Sequence, residues 1–114
     1  MFRGEVWLIN LDPAIGAEIN KIRPAIIVND DSIGILPLKI IVPITEWKEQ
    51  YSIAPWMIKV QPDEINRLDK LSAADTFQVR SISQERFIKQ LGKISDPVMQ
   101  KITEALALIL SINI

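Results

Sequence analysis

Glu18, Arg23 and Thr45 are the side chains of this sequence best suited to chemistry on a phosphate ester. An arginine guanidinium is a planar fork that keeps its charge and donates two parallel hydrogen bonds to phosphoryl oxygens. A glutamate takes a proton from a hydroxyl when its pKa is tuned. A threonine hydroxyl donates to a developing oxyanion. Together the three suit a transesterification in which RNA supplies its own nucleophile, the 2′-hydroxyl. That reaction calls for no metal, no cofactor and no histidine. The chain has neither histidine nor cysteine, so histidine acid–base chemistry, Ser-His triads, disulfides and His- or Cys-ligated zinc are excluded.

These residues are far apart in the chain, so the elements carrying them decide whether they meet. The stretch 4–11, GEVWLINL, is a compact apolar run that reads as a strand buried on both faces. The stretch 12–22, DPAIGAEINKI, reads as a loop through its Asp-Pro and Gly, long enough for a functional role. Strands follow at 24–30, with Pro24 at its start or on an edge, and at 38–45, LKIIVPIT. In the latter, Leu38, Ile40, Val42 and Ile44 share one face, and Lys39, Ile41, Pro43 and Thr45 the other. Further strands are predicted at 55–62, 77–83 and 88–95, with a short helical turn at SQERF between the last two. The mixed charge run 62–70 reads as a solvated loop or short helix.

If 24–29 and 38–44 form a hairpin centred on Gly34, Arg23 falls opposite Thr45 at one edge of the sheet. The loop 12–22 ends at that edge and brings Glu18 over it. The last element, 95–112, reads as a helix, with Ser95 as cap, Asp96 at its positive end and Pro97 in its first turn. Its predicted buried stripe is Val98, Ile102, Ala105, Ile109 and Ile112. From Ala105 onward it is apolar nearly all round, which calls for full burial or a second surface such as another subunit.

Several short strands followed by one helix, without strand–helix alternation, predict a mainly β fold with a C-terminal α-helix. The natural form is a strongly bent antiparallel sheet or small barrel. At 114 residues the chain reads as one domain, 1–114. Its net charge of −1 argues against broad nucleic-acid binding but leaves room for a local basic patch, for which Lys39, Lys48, Lys59 and Arg80 are candidates. No signal peptide is expected from MFRGEVWL, and ALALILSINI is too short to cross a bilayer. With the absence of cysteine, these features point to a cytoplasmic protein.

The stretch RGEVWLINLDPAIGAEINKIRPAIIVND, followed by VPITEW, FQVRSIS and the closing ALALIL, resembles the MazF/PemK-like toxins of bacterial toxin–antitoxin systems over nearly the whole chain. The resemblance implies a small SH3-like barrel with a C-terminal helix, related also to CcdB, that forms a homodimer. It implies a sequence-specific, metal-independent endoribonuclease acting on single-stranded messenger RNA, leaving a 2′,3′-cyclic phosphate and a free 5′-hydroxyl. It further implies a cognate antitoxin whose extended acidic tail blocks the RNA groove. By the match, Arg23 is the Arg of the family's Arg-Pro, Thr45 the hydroxyl residue closing the third strand, and Glu18 the Glu of Gly-Ser-Glu. Whether Glu18 or Arg23 acts as the base stays open.

Asn20 and Lys21 beside Arg23, and Gln78, Arg80 and Ser81 on the later strand, are then candidates to contact RNA, the last three otherwise forming an outward polar face. Trp47 and Lys48 lie in a loop where aromatics and a cation suit unpaired bases. Trp47 and Trp56 also read as core or dimer contacts, and Trp56 is assigned there. Two departures stand out. Gly16-Ala17-Glu18 lacks the family's serine. Phe77 holds the position where the family often has an acid, with Asp75 two places earlier; Phe77 reads first as core and second as a base-stacking residue. Two other functions fit such a barrel: a CcdB-like, non-enzymatic gyrase poison, disfavoured by a terminus without aromatics, and an inactive RNA- or protein-binding barrel.

Overall fold

The computed structural model describes residues 1–34 and 36–113; Ile35, in the predicted hairpin loop, and Ile114 lie outside the described residues. Seven strands precede one helix: β1 Glu5–Asn10, β2 Ile22–Ile27, β3 Leu38–Glu46, β4 Met57–Val60, β5 Ser72–Asp75, β6 Arg80–Ser83 and β7 Phe87–Lys93, then α1 Asp96–Ile109. Neighbouring strands run antiparallel in the order β4-β5-β3-β2-β1-β7, and β6 also pairs with β3. The expected mainly β fold with a C-terminal helix is present. Among the described residues no ladder joins β4 to β7, so the sheet is bent rather than closed.

The bend is built into β3. Its first half, Leu38–Ile41, pairs with β6, and its last residues, Ile44–Glu46, pair with β5. Pro43 falls between the two, opposite Ala25 of β2. A proline is tolerated there because the ladder is already interrupted. Pro24 likewise precedes the first β2–β3 pair, Ala25↔Pro43. The pairs Ala25↔Pro43, Ile26↔Val42 and Ile27↔Ile41 give the register that a hairpin centred on Gly34 requires.

Alternation along these strands divides the apolar side chains into two clusters. Val6, Ile26, Val42, Ile44 and Val60 form one with Met99 and Ile102 of α1. Ile9, Leu11, Ala25, Ile27, Ile41 and Ile82 form the other, with Ile19, Trp7 and Phe87 packed against it. The sheet is therefore covered on one face by the helix, and partly on the other by the loop between β1 and β2.

Several predicted boundaries shift for identifiable reasons. The strand β5, SAAD, has no β-forming side-chain signal; pairing with both β3 and β4 imposes it, and all four residues are buried. The strand predicted from Phe77 begins at Arg80, because the Asp75 carboxylate accepts the Phe77 N–H and turns residues 76–78 into one 3₁₀ turn. The turn expected at SQERF is a 3₁₀ turn over Gln84–Arg86. Ser95 occupies the N-cap position of α1, but its hydroxyl makes no cap hydrogen bond. The helix buries Met99, Ile102, Ala105 and Ala107, and it ends before Ile112, which is exposed. Of the predicted stripe, Ile102 and Ala105 are buried, Val98 and Ile109 are half-buried, and only Ile112 is exposed; Leu108 and Leu110 beside it are exposed too. Phe77, read first as core, is 68% exposed, and Trp56, read as a core or dimer contact, is 38% exposed.

The charge run 62–70 is a loop pinned by its own side chains rather than loosely solvated. Asn66 is buried, donates to the Gln61 carbonyl and accepts from the Asp63 and Leu68 N–H groups. The backbone of Ile65 and Asn66 lies directly on Gly92 of β7, where the Lys93 N–H donates to the Ile65 carbonyl at 3.0 Å.

Candidate active site

Arg23 enters β2 from a loop whose base is closed by two hydrogen bonds and one left-handed residue. The Lys21 N–H donates to the Asp12 carboxylate at 2.9 Å, the Leu11 N–H donates to the Lys21 carbonyl at 2.8 Å, and Lys21 itself is left-handed with φ 67°. The chain therefore turns sharply before it joins the sheet. Arg23 then pairs with Ile9 of β1. Continuing the β2–β3 register by two residues sets it opposite Thr45. By the two-residue period, Arg23 shares a face with Ala25 and Ile27, and Thr45 with Pro43 and Ile41. Directly opposed residues have Cβ atoms roughly 5 Å apart, so the continued register sets the two side chains at the same edge of the sheet.

The guanidinium of Arg23 is held but not neutralised. Its Nε donates to the Asn20 carbonyl at 3.2 Å, and among the described residues no carboxylate lies within 4.0 Å of it. Its two terminal nitrogens remain available for an anion. Arg23 and Thr45 also line one hollow of about 450 Å³, together with Arg67 and Lys89, which likewise have no carboxylate within 4.0 Å among the described residues. Lys70 on the same rim is paired to Glu46 at 3.7 Å, an exposed contact of little energetic weight. With Asp69 and Glu46 also on the lining, the rim's cations outnumber its carboxylates in a chain of net charge −1, but this rim is not the patch predicted from Lys39, Lys48, Lys59 and Arg80. Sequence gave no signal for it, since Arg67 and Lys89 reach it only through the 61–71 loop and β7.

Glu18 lies on the same sheet face, because its neighbour Ile19 packs on the cluster that contains Ile9, Ala25 and Ile41. It lines a different hollow, of about 540 Å³, with Pro43, Phe77, Gln78 and Arg80. Its carboxylate accepts the Ile15 N–H at 2.6 Å and so closes a turn within its own loop. The structure sets Arg23 and Thr45 on one hollow and Glu18 on another, so the three groups expected to converge do not share one hollow.

The other sequence candidates divide by what they touch. Gln78 is a clamp. Its Oε1 accepts the Ile19 N–H at 2.7 Å, and its Nε2 donates to the Ala17 carbonyl and to the Asp75 carboxylate, each at 3.3 Å. One side-chain amide thus holds the backbone on both sides of Glu18, and Asp75 fixes which end of the amide is which. The acid that seemed displaced by two positions reaches the glutamine after all, through the 3₁₀ turn. Spacing alone obscured this contact between Asp75 and Gln78.

Replacing Gln78 by leucine removes both loop contacts, each worth about 1 kcal/mol. The Ile19 amide is then expected to exchange with solvent roughly tenfold faster or more, while the strands keep their protection. Unchanged exchange at Ile19 would show that the loop is held by other means.

Arg80 is half-buried on β6, opposite Ile41, and Ser81 next to it is exposed. Asn20, Lys21 and Lys48 are exposed. Trp47 is half-buried, with the Tyr51 ring at its edge and the Lys59 ammonium 5.1 Å from its centroid, while its indole N–H is buried without a partner among the described residues.

Burial pushes the Asp75 carboxyl above the ordinary aspartate range, against the lowering effect of its bonds from Phe77 and Gln78. The folded state therefore holds this proton more tightly than the unfolded chain. As pH rises from about 3.9, where unfolded aspartate titrates, the unfolded state loses the proton first and stability falls until the folded group has also ionised. The Asp75→Asn variant is expected to lack that fall, so its stability relative to the parent grows across this window. Urea titrations at a series of pH values test it; a constant difference would mean that Asp75 is not perturbed.

A family model for the PemK-like, MazF-like toxins of type II toxin–antitoxin systems matches residues 2–110. The chain belongs to this family. The MazF-like toxins include a curated relative, Endoribonuclease MazF9 of Mycobacterium tuberculosis, which is 31% identical over 114 residues, covering 95% of this chain and 94% of the relative. MazF from Deinococcus radiodurans superposes with a TM-score of 0.81 at 21% identity, over 97% of this chain and 96% of that one. A mycobacterial endoribonuclease in complex with its cognate antitoxin superposes at 0.78 with 18% identity, over 100% of this chain and 98% of that one. At those identities the two structures bear on the fold. For a MazF-like toxin, this chain's Gly16-Ala17-Glu18 keeps the acid on the loop, with Gly16 at φ 59° where the turn needs a left-handed residue. No helix among the described residues is long and apolar enough to cross a membrane.

Proposed function

We propose that this toxin is a sequence-specific, metal-independent endoribonuclease that cuts single-stranded RNA, messenger RNA in the cell. The observation that carries the reading is an Arg23 fork that has no counter-ion among the described residues, in line with Thr45 on the sheet face that the Glu18 loop partly covers. The family match and the curated endoribonuclease relative support it.

The scissile phosphodiester sits on Arg23, whose terminal nitrogens take its non-bridging oxygens. The 2′-hydroxyl attacks phosphorus as its proton leaves, the P–O5′ bond breaks, and the 5′-oxygen takes a proton from water. The products are a 2′,3′-cyclic phosphate and a 5′-hydroxyl. Charge grows on the phosphoryl oxygens during attack, and Arg23 and Thr45 donate to it there. Glu18 accepts the 2′-hydroxyl proton, because the Arg23 guanidinium keeps its charge and has no acceptor; an unchanged cutting rate in Glu18→Gln would rule this out.

The toxin acts in the cytoplasm as a homodimer, and the exposed Leu108, Leu110 and Ile112 offer apolar surface for a second copy. A cognate antitoxin restrains it, as in the complexes of its structural relatives. Purified protein incubated with a long single-stranded RNA in EDTA is expected to cut at one short recurring sequence, read by primer extension. Intact RNA under these conditions would defeat the proposal.

A further inference from the structure

We propose that Phe77 and Trp56 form a stacking platform for one unpaired nucleobase of the RNA held at Arg23 and Thr45, with Arg80 on an adjoining phosphate; the assignment rests on the ribonuclease reading above. Phe77 projects to solvent from a turn fixed on both sides. Its N–H is held by the Asp75 carboxylate at 3.2 Å, and the preceding Thr76 donates to the Trp56 carbonyl through its N–H at 3.1 Å and its hydroxyl at 2.7 Å. The same contacts set the two rings 6.0 Å apart and inclined at 59°. An exposed aromatic held this rigidly loses little conformational freedom when a planar ligand settles on it.

The surroundings select the ligand. Phe77, Arg80 and Pro43 line one hollow of about 540 Å³, and Pro43 lies two residues from Thr45 on the same face of β3. That is roughly 7 Å along the strand, so a strand of RNA crossing Thr45 passes the rings. Arg80, like Arg23, has no carboxylate within 4.0 Å among the described residues. A flat π-face beside an unneutralised guanidinium fits a base and its phosphate, the combination on which single-strand binders depend. The Gln78 amide is occupied by the Glu18 loop and Asp75, so stacking rather than hydrogen-bond readout is left to this hollow.

The test uses the full chain and a short RNA spanning its mapped cut site, made non-cleavable by 2′-O-methylation, with a single abasic residue moved along it. Base–aromatic stacking of this kind predicts roughly five- to hundredfold weaker binding by Phe77→Ala, and binding within about twofold of the parent for Phe77→Tyr. One abasic position should weaken the parent to the same degree and leave Phe77→Ala unaffected. Since Phe77 is exposed, the melting temperature of Phe77→Ala should match the parent. A parent that cuts RNA while no abasic position couples to Phe77 overturns the platform and leaves the ribonuclease intact. Loss of antitoxin binding or self-association in Phe77→Ala, with RNA affinity unchanged, assigns the rings to a protein partner and also overturns it. A parent that neither binds nor cuts RNA removes both readings.

Discussion

Arg23→Ala is expected to lower the rate of RNA cutting on the order of a thousandfold while leaving the fold intact. The magnitude follows from what arginine contributes at phosphoryl centres and what a single donor to a developing oxyanion contributes. The fold is expected to survive because, among the described residues, Arg23 makes one 3.2 Å hydrogen bond to the Asn20 carbonyl and no ion pair. Removing it costs one weak contact at the end of β2, while the pairs from Ala25 to Ile27 stay in place. Arg23→Lys keeps the charge and loses the fork, so it should fall between the two. Single-turnover cutting of a defined RNA, beside a urea melt of each variant, measures both effects. Full cutting by Arg23→Ala would end the assignment of this residue.

Gly92→Ala should cost at least about 3 kcal/mol of stability, the upper end of what overpacking produces. A Cβ at this position would press into the Ile65 carbonyl oxygen and stand 2.8 Å from the carbonyl carbon of Asn66. These are backbone atoms of a loop pinned by Asn66 and by the Lys93 N–H, so no rotamer change relieves the clash. Gly16 is the control. It sits in open space at φ 59°, so alanine there meets only the left-handed penalty of about 1 kcal/mol. The expected melting-temperature loss for Gly92→Ala is roughly 10 °C or more. A loss no larger than that of Gly16→Ala would show that the 61–71 loop moves aside freely.

Both expectations draw on contacts that differ in how far they can be read from the chain. Arg23 was accessible because a hairpin is local. The strand pattern fixes which residues alternate, and the symmetric loop fixes which numbers oppose. Gly92 was not accessible, because its constraint comes from a loop about twenty-five residues earlier. The same division runs through the candidate site. Arg23, Thr45 and the Glu18 loop follow from one hairpin and the segment that enters it. The clamp of Gln78 on residues 17 and 19 joins segments about sixty residues apart, and nothing in either segment announces the other.

Phe77 was misread for a related reason. Alternation makes an aromatic next to a strand look like core, but the Asp75 cap turns the chain before the strand starts and swings the ring outward. The strand SAAD escaped notice because small side chains carry no strand signal, and two neighbours supply the ladder instead.

By itself, then, the sequence determined the fold class, the hairpin register, and the absence of histidine and cysteine chemistry. These rest on periodicity and composition, which are properties of neighbouring residues and of counts. Only the tertiary structure decided that Arg23 stands without a counter-ion among the described residues, that Arg67 and Lys89 share its rim, that Gln78 holds the Glu18 loop, and that Phe77 faces solvent. Each of those depends on which distant segment arrives beside the residue, and charge, burial and hydrogen bonding are set by that neighbour rather than by the residue's own place in the chain.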